Sequence, residues 1–204
     1  PECDIISLPI ADGGEGMLDV LIAATQGKSI TAYAHDPLME RRETRYGISG
    51  DGQTAFIEMA NISGLPLVAV EQRNPMLTTS YGTGELIFDA LERGCRNFII
   101  GLGGSATNDA GSGMLQALGF RFLNKEGNEL GNITKDNPTH PTGKVINGMC
   151  GQLISEVVSI DFSSIHPALK ESHFTAACDV KNPFYGLNGA AYIFAPQKGA
   201  DEKM

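Results

Sequence analysis

The chain has 204 residues, of which 42% are hydrophobic and 19% are charged, a balance that excludes a disordered protein and predicts one full core, or a core with a small second lobe. The formal net charge of −9 at pH 7 argues against a nucleic-acid surface and favours a small-molecule partner. No apolar stretch reaches the roughly 18 residues of a membrane span, so we expect no membrane contact.

The first predicted unit is a strand, a tight loop and a helix. Residues 4–8 have the apolar pattern of a strand, and residues 14–25 have helical periodicity with Gly27 as the stop. The loop between them, residues 12–16, reads Asp-Gly-Gly-Glu-Gly, and carboxylates suit a helix start. Because the sequence opens without Met and as though inside a strand, we expect it to belong to a longer protein.

Three extended segments follow the first helix. Residues 28–34, 43–48 and 54–58 are separated by the turn signals Asp-Pro at 36–37 and Gly-Asp-Gly at 50–52. This pattern predicts an antiparallel patch, which we assign to a second, smaller lobe.

A second strand and helix pair is predicted next. Ser80 or Thr83 caps a helix that runs to Arg93 and is closed by Gly94, and a buried strand covers residues 96–101. This arrangement is typical of parallel α/β units.

The segment that follows this strand is the most informative one in the chain. Residues 101–114 read Gly-Leu-Gly-Gly-Ser-Ala-Thr-Asn-Asp-Ala-Gly-Ser-Gly-Met, and a helix is predicted from about Asp109. Glycines allow close approach to a ligand, and a helix start favours an anion such as phosphate. The segment lacks the Lys of a Walker A loop and the last Gly of G-x-G-x-x-G. The alternative interpretation is a strand-to-helix turn without a ligand.

The last third of the chain is less regular. Residues 124–150 are polar and rich in turns, which predicts a surface excursion. Core strands are predicted over residues 174–178 and 190–194. Asp179 follows the first of these, where carboxylates at strand ends often bind ligands, and Lys198 lies in a Pro-Gln-Lys-Gly stretch.

The cysteines and histidines form no motif of their own. Cys3, Cys95, Cys150 and Cys178 lie far apart without a C-x-x-C pair, which predicts reduced thiols and a cytoplasmic protein. The four histidines share no ligand spacing, so no catalytic histidine is expected.

Four blocks of sequence occur in a recognisable order: residues 8–16, 79–87, 101–109 and 195–200. Together they resemble the type-1 glycerate kinase family, enzymes that transfer the γ-phosphate of ATP to D-glycerate. The resemblance spans nearly the whole chain and is poor over residues 124–172. The chain departs from the family pattern at Ala110, where a second glycine is usual, and at Leu187, where proline is common.

The resemblance implies an α/β fold with two lobes: a mostly parallel sheet with flanking helices, and a second smaller α/β lobe with an antiparallel patch. It also implies ATP and Mg²⁺ as cofactors, D-glycerate as substrate and in-line phosphoryl transfer. The candidates that follow from this chemistry are catalytic Asp109, Asp179 and Lys198, with Asp109 or Asp179 binding Mg²⁺; phosphate-facing Gly101, Gly103, Gly104, Ser105, Thr107 and Asn108; and substrate-binding Asp12, Gly13, Gly14, Glu15 and Thr83.

Several alternatives stay open at this point. The resemblance favours 2-phosphoglycerate as product over 3-phosphoglycerate. A kinase for another small sugar acid and a non-catalytic nucleotide-binding remnant are the competing functions. A homo-oligomer is compatible with the sequence, and the lobe boundaries are not visible in it.

Overall fold

The computed structural model describes residues 13–132 and 146–204, so the strand predicted over residues 4–8 lies outside the described residues. The helices are α1 Met17–Ala24, α2 Ala60–Ser63, α3 Tyr81–Glu92, α4 Ser112–Ala117 and α5 Ala190–Phe194. The strands are β1 Lys28–His35, β2 Arg41–Ile48, β3 Thr54–Glu58, β4 Asn97–Gly101, β5 Arg121–Leu123, β6 Ser159–Asp161 and β7 His173–Ala177. Single 3₁₀ turns cover Leu65–Leu67, Val70–Gln72, Gly151–Glu156, Pro167–Glu171 and Pro196–Lys198.

The main sheet has five strands in the order β1-β2-β3-β4-β7. The pairs β1–β2 and β2–β3 are antiparallel, whereas β3–β4 and β4–β7 are parallel. A separate small sheet consists of β5 and β6, which pair antiparallel. The α/β class with parallel and antiparallel parts is therefore confirmed.

The antiparallel patch differs from the prediction in its place. We expected residues 28–58 in a second lobe, but β3 pairs with β2 on one side and with β4 on the other. One strand thus joins the antiparallel and parallel strands into a single sheet. Hydrophobic periodicity could not predict this, because it does not identify the neighbours of a strand.

The first part of the core lies between the main sheet and α3. Leu86, Ile87, Ala90 and Leu91 are buried on one side of this helix, as their helical spacing predicts. They pack with sheet residues that include Phe98. Gly94 has a φ of +94° and ends the helix as expected, because glycine adopts this conformation without steric cost.

A second part of the core surrounds β5 and residues 146–153. Ile146, Met149 and Cys150 are fully buried there, although the sequence predicted a surface excursion over residues 124–150. Residues 125–128 are exposed as predicted, and residues 133–145 lie outside the described residues. A polar, turn-rich composition did not reveal the apolar residues at the end of the segment.

Three predicted elements differ from the structure in burial, type or bounds. Residues 174–178 were predicted as a core strand, but β7 is exposed from His173 to Ala176. Residues 190–194 form the short helix α5 instead of a core strand, because five apolar residues are too few to show a period. Helix α1 begins at Met17 and not at Gly14, and the residue with positive φ after it is Gln26, at +51°, and not Gly27. Within residues 13–132 and 146–204, no helix has the length and apolar content needed to cross a bilayer.

Candidate functional site

The carboxyl ends of β3, β4 and β7 meet at one edge of the main sheet, where the register places Glu58, Gly101 and Ala177 side by side. A cavity of about 790 Å³ opens at this edge, which is the usual ligand position in open α/β sheets. Ten residues predicted for the site line the cavity: Gly13, Gly14, Gly103, Gly104, Ser105, Thr107, Asn108, Asp109, Asp179 and Lys198.

Three other predicted residues that the structure describes are not among those lining the cavity. Thr83 is fully buried in α3, and its hydroxyl shares a hydrogen bond of 2.8 Å with the Ser63 hydroxyl. Gly101 is buried at the end of β4, and Glu15 is exposed in the loop before α1. Asp12 lies outside the described residues. The substrate-binding prediction for Thr83 is therefore not supported by its position, because its hydroxyl is used within the core.

The loop formed by residues 13–16 packs backbone against backbone with the strand ends. A Cβ on Gly13 would lie 2.5 Å from the Ala177 carbonyl oxygen, and a Cβ on Gly103 would lie 2.8 Å from the Gly14 Cα. The Gly103 amide donates to the Gly13 carbonyl at 3.3 Å. We predicted that Gly103 and Gly13 approach a ligand, but this close packing is a sufficient reason for glycine at both positions.

Asp109 is almost completely buried where the glycine-rich segment, residues 101–114, meets α4. Its Oδ2 accepts hydrogen bonds from the Ser80 amide at 2.8 Å, the Ser80 hydroxyl at 2.7 Å and the Gly113 amide at 3.2 Å. Its Oδ1 accepts one from the Gly111 amide at 3.1 Å. Burial raises the pKa of Asp109 above its ordinary value, although these hydrogen bonds lower it.

The start of α4 does face the cavity, since Gly111 and Met114 line it, but its first amides are already used within the protein. Helix α4 begins at Ser112 and has six residues, and the amides of Gly111 and Gly113 already donate to the Asp109 carboxylate. The protein thus supplies its own anion at the place where we expected a bound phosphate.

Lys198, in the 3₁₀ turn after α5, contacts the glycine-rich segment at the cavity. Its Nζ donates to the Thr107 carbonyl at 2.6 Å and to the Ser105 hydroxyl at 3.0 Å. Burial lowers its pKa from 10.5 to about 8, and the charge of Asp109 opposes this shift. At neutral pH the site therefore holds a cation next to the segment that was predicted to face phosphate.

Asp179 is the exposed carboxylate at the cavity, two residues beyond β7. Among the residues that the structure describes, no group of three or more histidine, cysteine, aspartate and glutamate side chains is arranged to hold a metal ion. A magnesium ion that binds mainly through nucleotide phosphates requires only one or two protein carboxylates. Asp179 fits this requirement by its exposure, whereas the hydrogen-bonded carboxylate of Asp109 does not.

Sequence reasoning missed two features of the site. Ser80 was expected to cap α3, but its hydroxyl makes no cap hydrogen bond in that helix and bonds to Asp109 and to the Met114 amide instead. An apolar wall, which includes Phe174, Phe184 and Phe194, also lines the cavity. The hydroxyl at a helix start was a signal for Ser80, whereas nothing local predicts that distant phenylalanines share a cavity.

Comparison with known proteins gives a consistent result. The model of the glycerate kinase family matches residues 1–204. A glycerate 2-kinase of Escherichia coli is 50% identical over the whole chain, which covers 49% of that protein. A glycerate kinase of Bacillus cereus is 47% identical, with 49% of its length covered. A solved structure from Salmonella typhimurium LT2, assigned as a glycerate kinase 2, superposes with a TM-score of 0.85 at 44% identity, over 100% of this chain and 51% of that one. The chain spans about half the length of the curated relatives it matches.

Proposed function

Because the chain belongs to the glycerate kinase family, we propose that it carries the phosphoryl-transfer site of an enzyme that passes the γ-phosphate of ATP to a hydroxyl of D-glycerate. The observation that supports this most is the cavity at the carboxyl ends of β3, β4 and β7, where the glycine-rich segment, Lys198 and Asp179 come together.

The nucleotide phosphates would lie against the glycine-rich segment. The Gly103 amide and the start of α4 are already hydrogen-bonded within the protein, so we assign the phosphate contacts to the amides of Gly104 and Ser105. The side chains of Thr107 and Asn108 and the ammonium of Lys198 complete this set. Phosphoryl transfer depends mainly on positioning and charge stabilisation, which such a set provides.

Asp179 is our candidate for the group that acts on glycerate. Its exposed carboxylate at the cavity can orient the attacking hydroxyl and accept its proton. Mg²⁺ bound to the phosphates would neutralise their charge during transfer, and Asp179 is also the described carboxylate that fits as its protein ligand. Gly13 and Gly14 lie at the cavity and are the candidates for contact with the substrate.

We propose 2-phosphoglycerate as the product. One supporting observation is that the Escherichia coli relative is named a glycerate 2-kinase. The alternative product, 3-phosphoglycerate, differs in the hydroxyl that attacks, and phosphorus NMR of the reaction mixture distinguishes the two.

The test is a coupled assay of ADP release with ATP, Mg²⁺ and D-glycerate, comparing the 204-residue chain with a protein of the relatives' length that contains it. We expect turnover in the longer protein, and a loss of at least about 100-fold in kcat for Asp179→Asn. Asp201 is an exposed carboxylate that is not among the residues lining the cavity, so the control Asp201→Asn should keep full activity.

The outcomes separate the competing functions. Turnover with another sugar acid but not with D-glycerate would show that D-glycerate is not the substrate and that the other sugar acid is. Nucleotide binding without any turnover in the longer protein would favour a non-catalytic remnant. Absence of both would contradict the proposed site.

A further inference from the structure

Ser80 connects the N-terminal ends of two helices that follow different parts of the chain. It is fully buried, and both its amide and its hydroxyl donate to Oδ2 of Asp109. The same hydroxyl oxygen accepts a hydrogen bond of 3.0 Å from the amide of Met114 in α4. One side chain at the start of α3 therefore contacts both Asp109 and the first turn of α4.

The contacts of Asp109 leave it little capacity for other partners. Its Oδ2 receives three hydrogen bonds, from Ser80 and Gly113, and its Oδ1 receives one, from Gly111, which leaves about one of the four lone pairs of the carboxylate, on Oδ1. Its exposure is 2%. A metal ligand or a general base needs an accessible lone pair, so the position of Asp109 fits neither role.

The same contacts explain how the glycine-rich segment is held. The segment is rich in glycine, and two of its own side chains, Asp109 and Ser112, bond to its backbone. Asp109 bonds the amides of Gly111 and Gly113, and Ser80 bonds that of Met114, so the first turn of α4 is anchored to α3. At the other end of the segment, the Gly103 amide is held by the Gly13 carbonyl.

We propose that Ser80 is a positioning residue of the site: it holds Asp109 as an internal anion at the start of α4 and so anchors residues 109–114, the end of the glycine-rich segment that adjoins residues 104–108, to which the nucleotide phosphates are assigned. The link to the nucleotide rests on the proposed function, whereas the anchoring of the segment does not.

The test compares Ser80→Ala with Ser80→Thr, which retains the hydroxyl, and with Ser63→Ala as a matched control. Ser63 is also a fully buried serine that bonds to α3, through the Thr83 hydroxyl, but it does not contact Asp109. The first readout is amide hydrogen exchange over residues 109–114 in the 204-residue chain. The second is the affinity for ATP with Mg²⁺, measured by calorimetry at several Mg²⁺ concentrations.

We expect Ser80→Ala to speed exchange over residues 109–114 at least about tenfold and to weaken nucleotide binding about tenfold, because a misplaced segment loses its aligned contacts. The Mg²⁺ concentration that gives half-maximal binding should not change, since neither Ser80 nor Asp109 touches the metal in this proposal. Ser80→Thr should restore both properties, and Ser63→Ala should leave them as in the parent.

Unchanged exchange in Ser80→Ala would overturn the anchoring role. Faster exchange with unchanged nucleotide affinity would overturn the positioning role and leave a structural contact. A higher Mg²⁺ requirement in Asp109→Asn would overturn the internal-anion assignment. If Ser80→Ala does not fold, Ser80→Cys, with its weak S–H donor, gives the same comparison. A parent protein that binds no nucleotide would contradict the proposed function, and the exchange measurement would still decide the anchoring role.

Discussion

Lys198 shows how much a single buried charge constrains this site. The residue is 8% exposed, and its ammonium donates hydrogen bonds to two oxygens of the glycine-rich segment. A cation removed from water in this way costs free energy unless it is fully compensated, and the lowered pKa reports that cost. The unfolded chain has no such cost, so the lysine links folding stability to pH.

The contribution of Lys198 to folding stability changes with pH in the opposite direction to that of a lysine stabilised by an ion pair. Between pH 8 and 10.5 the folded state has lost the proton of Lys198 and the unfolded state still holds it, so stability from this group rises with pH. We expect the free energy of unfolding of the parent, relative to Lys198→Met, to increase by up to about 3 kcal/mol across this window. Urea unfolding at several pH values measures it.

The control is Lys203→Met, which changes an exposed lysine of the same C-terminal region. The free energy of unfolding of this variant should change with pH in the same way as that of the parent. If Lys198→Met also showed the same pH dependence as the parent, the burial of the Lys198 ammonium would be contradicted.

Ala110 has a backbone conformation that is unfavourable for a residue with a Cβ atom. It is exposed and has a φ of +53°, a conformation that costs an L-residue with a Cβ roughly 1–2 kcal/mol. The family resemblance places a glycine here, which this φ explains.

We expect Ala110→Gly to raise the free energy of unfolding by about 1 kcal/mol, because the relief of strain exceeds the added chain entropy of glycine. Ala23→Gly, at an exposed position of α1, should have the opposite sign and cost about 0.5–1 kcal/mol. Thermal unfolding of both variants provides the measurement, and a loss of stability in both would refute the interpretation.

At the scale of elements, the contact between the loop at residues 13–16 and the end of β7 is the one most open to test. Gly13 and Gly16 have nearly the same φ, +95° and +91°. A Cβ on Gly13 would lie 2.5 Å from the Ala177 carbonyl oxygen, whereas a Cβ on Gly16 would meet nothing within 4 Å. Comparing alanine substitutions at Gly13 and Gly16 therefore separates the cost of backbone strain, which both share, from the cost of steric overlap, which only Gly13 has.

Both alanine variants should lose about 1 kcal/mol or more to backbone strain. Gly13→Ala should cost a further 1–3 kcal/mol, roughly, because the added methyl group overlaps the backbone of β7. Equal losses of stability, measured by chemical unfolding, would mean that the loop does not pack against β7 in solution.

The elements also show where sequence reasoning succeeds. Helix α3 was predicted because twelve residues show the helical period several times and Gly94 marks the end. Helix α5 was predicted as a strand because five residues do not complete two turns. The hydrogen bonds of Ser80 to Asp109 join positions 29 residues apart, and such pairs leave no local pattern in a single sequence.

At the scale of the whole molecule, the glycine-rich segment and the strand ends were predicted because glycine, small hydroxyl residues and strand-end carboxylates are themselves the signal. Three other features were not predicted, since each depends on which distant segments meet: the single sheet of β1–β4 and β7, the second part of the core, and the apolar cavity wall. The two-lobed arrangement stays a prediction.

The described chain exposes an unusual apolar surface over residues 180–193. Phe184, Tyr185 and Leu187 are 74%, 84% and 79% exposed, and Tyr192 is 66% exposed. Exposed apolar groups that form one contiguous patch usually mark a contact with other protein surface.

The parallel pairing of β4 with β7 also has a consequence for synthesis. The two strands are separated by roughly seventy residues, which a ribosome adds in about 4–15 s at the usual rates. Until β7 emerges, β4 has one edge without its native neighbour, and Phe98 lacks the Phe174 ring that stacks on it at 4.7 Å. An uncovered strand edge is where wrong pairing begins. The speed of translation between these strands should therefore influence how much of the nascent chain reaches the native sheet.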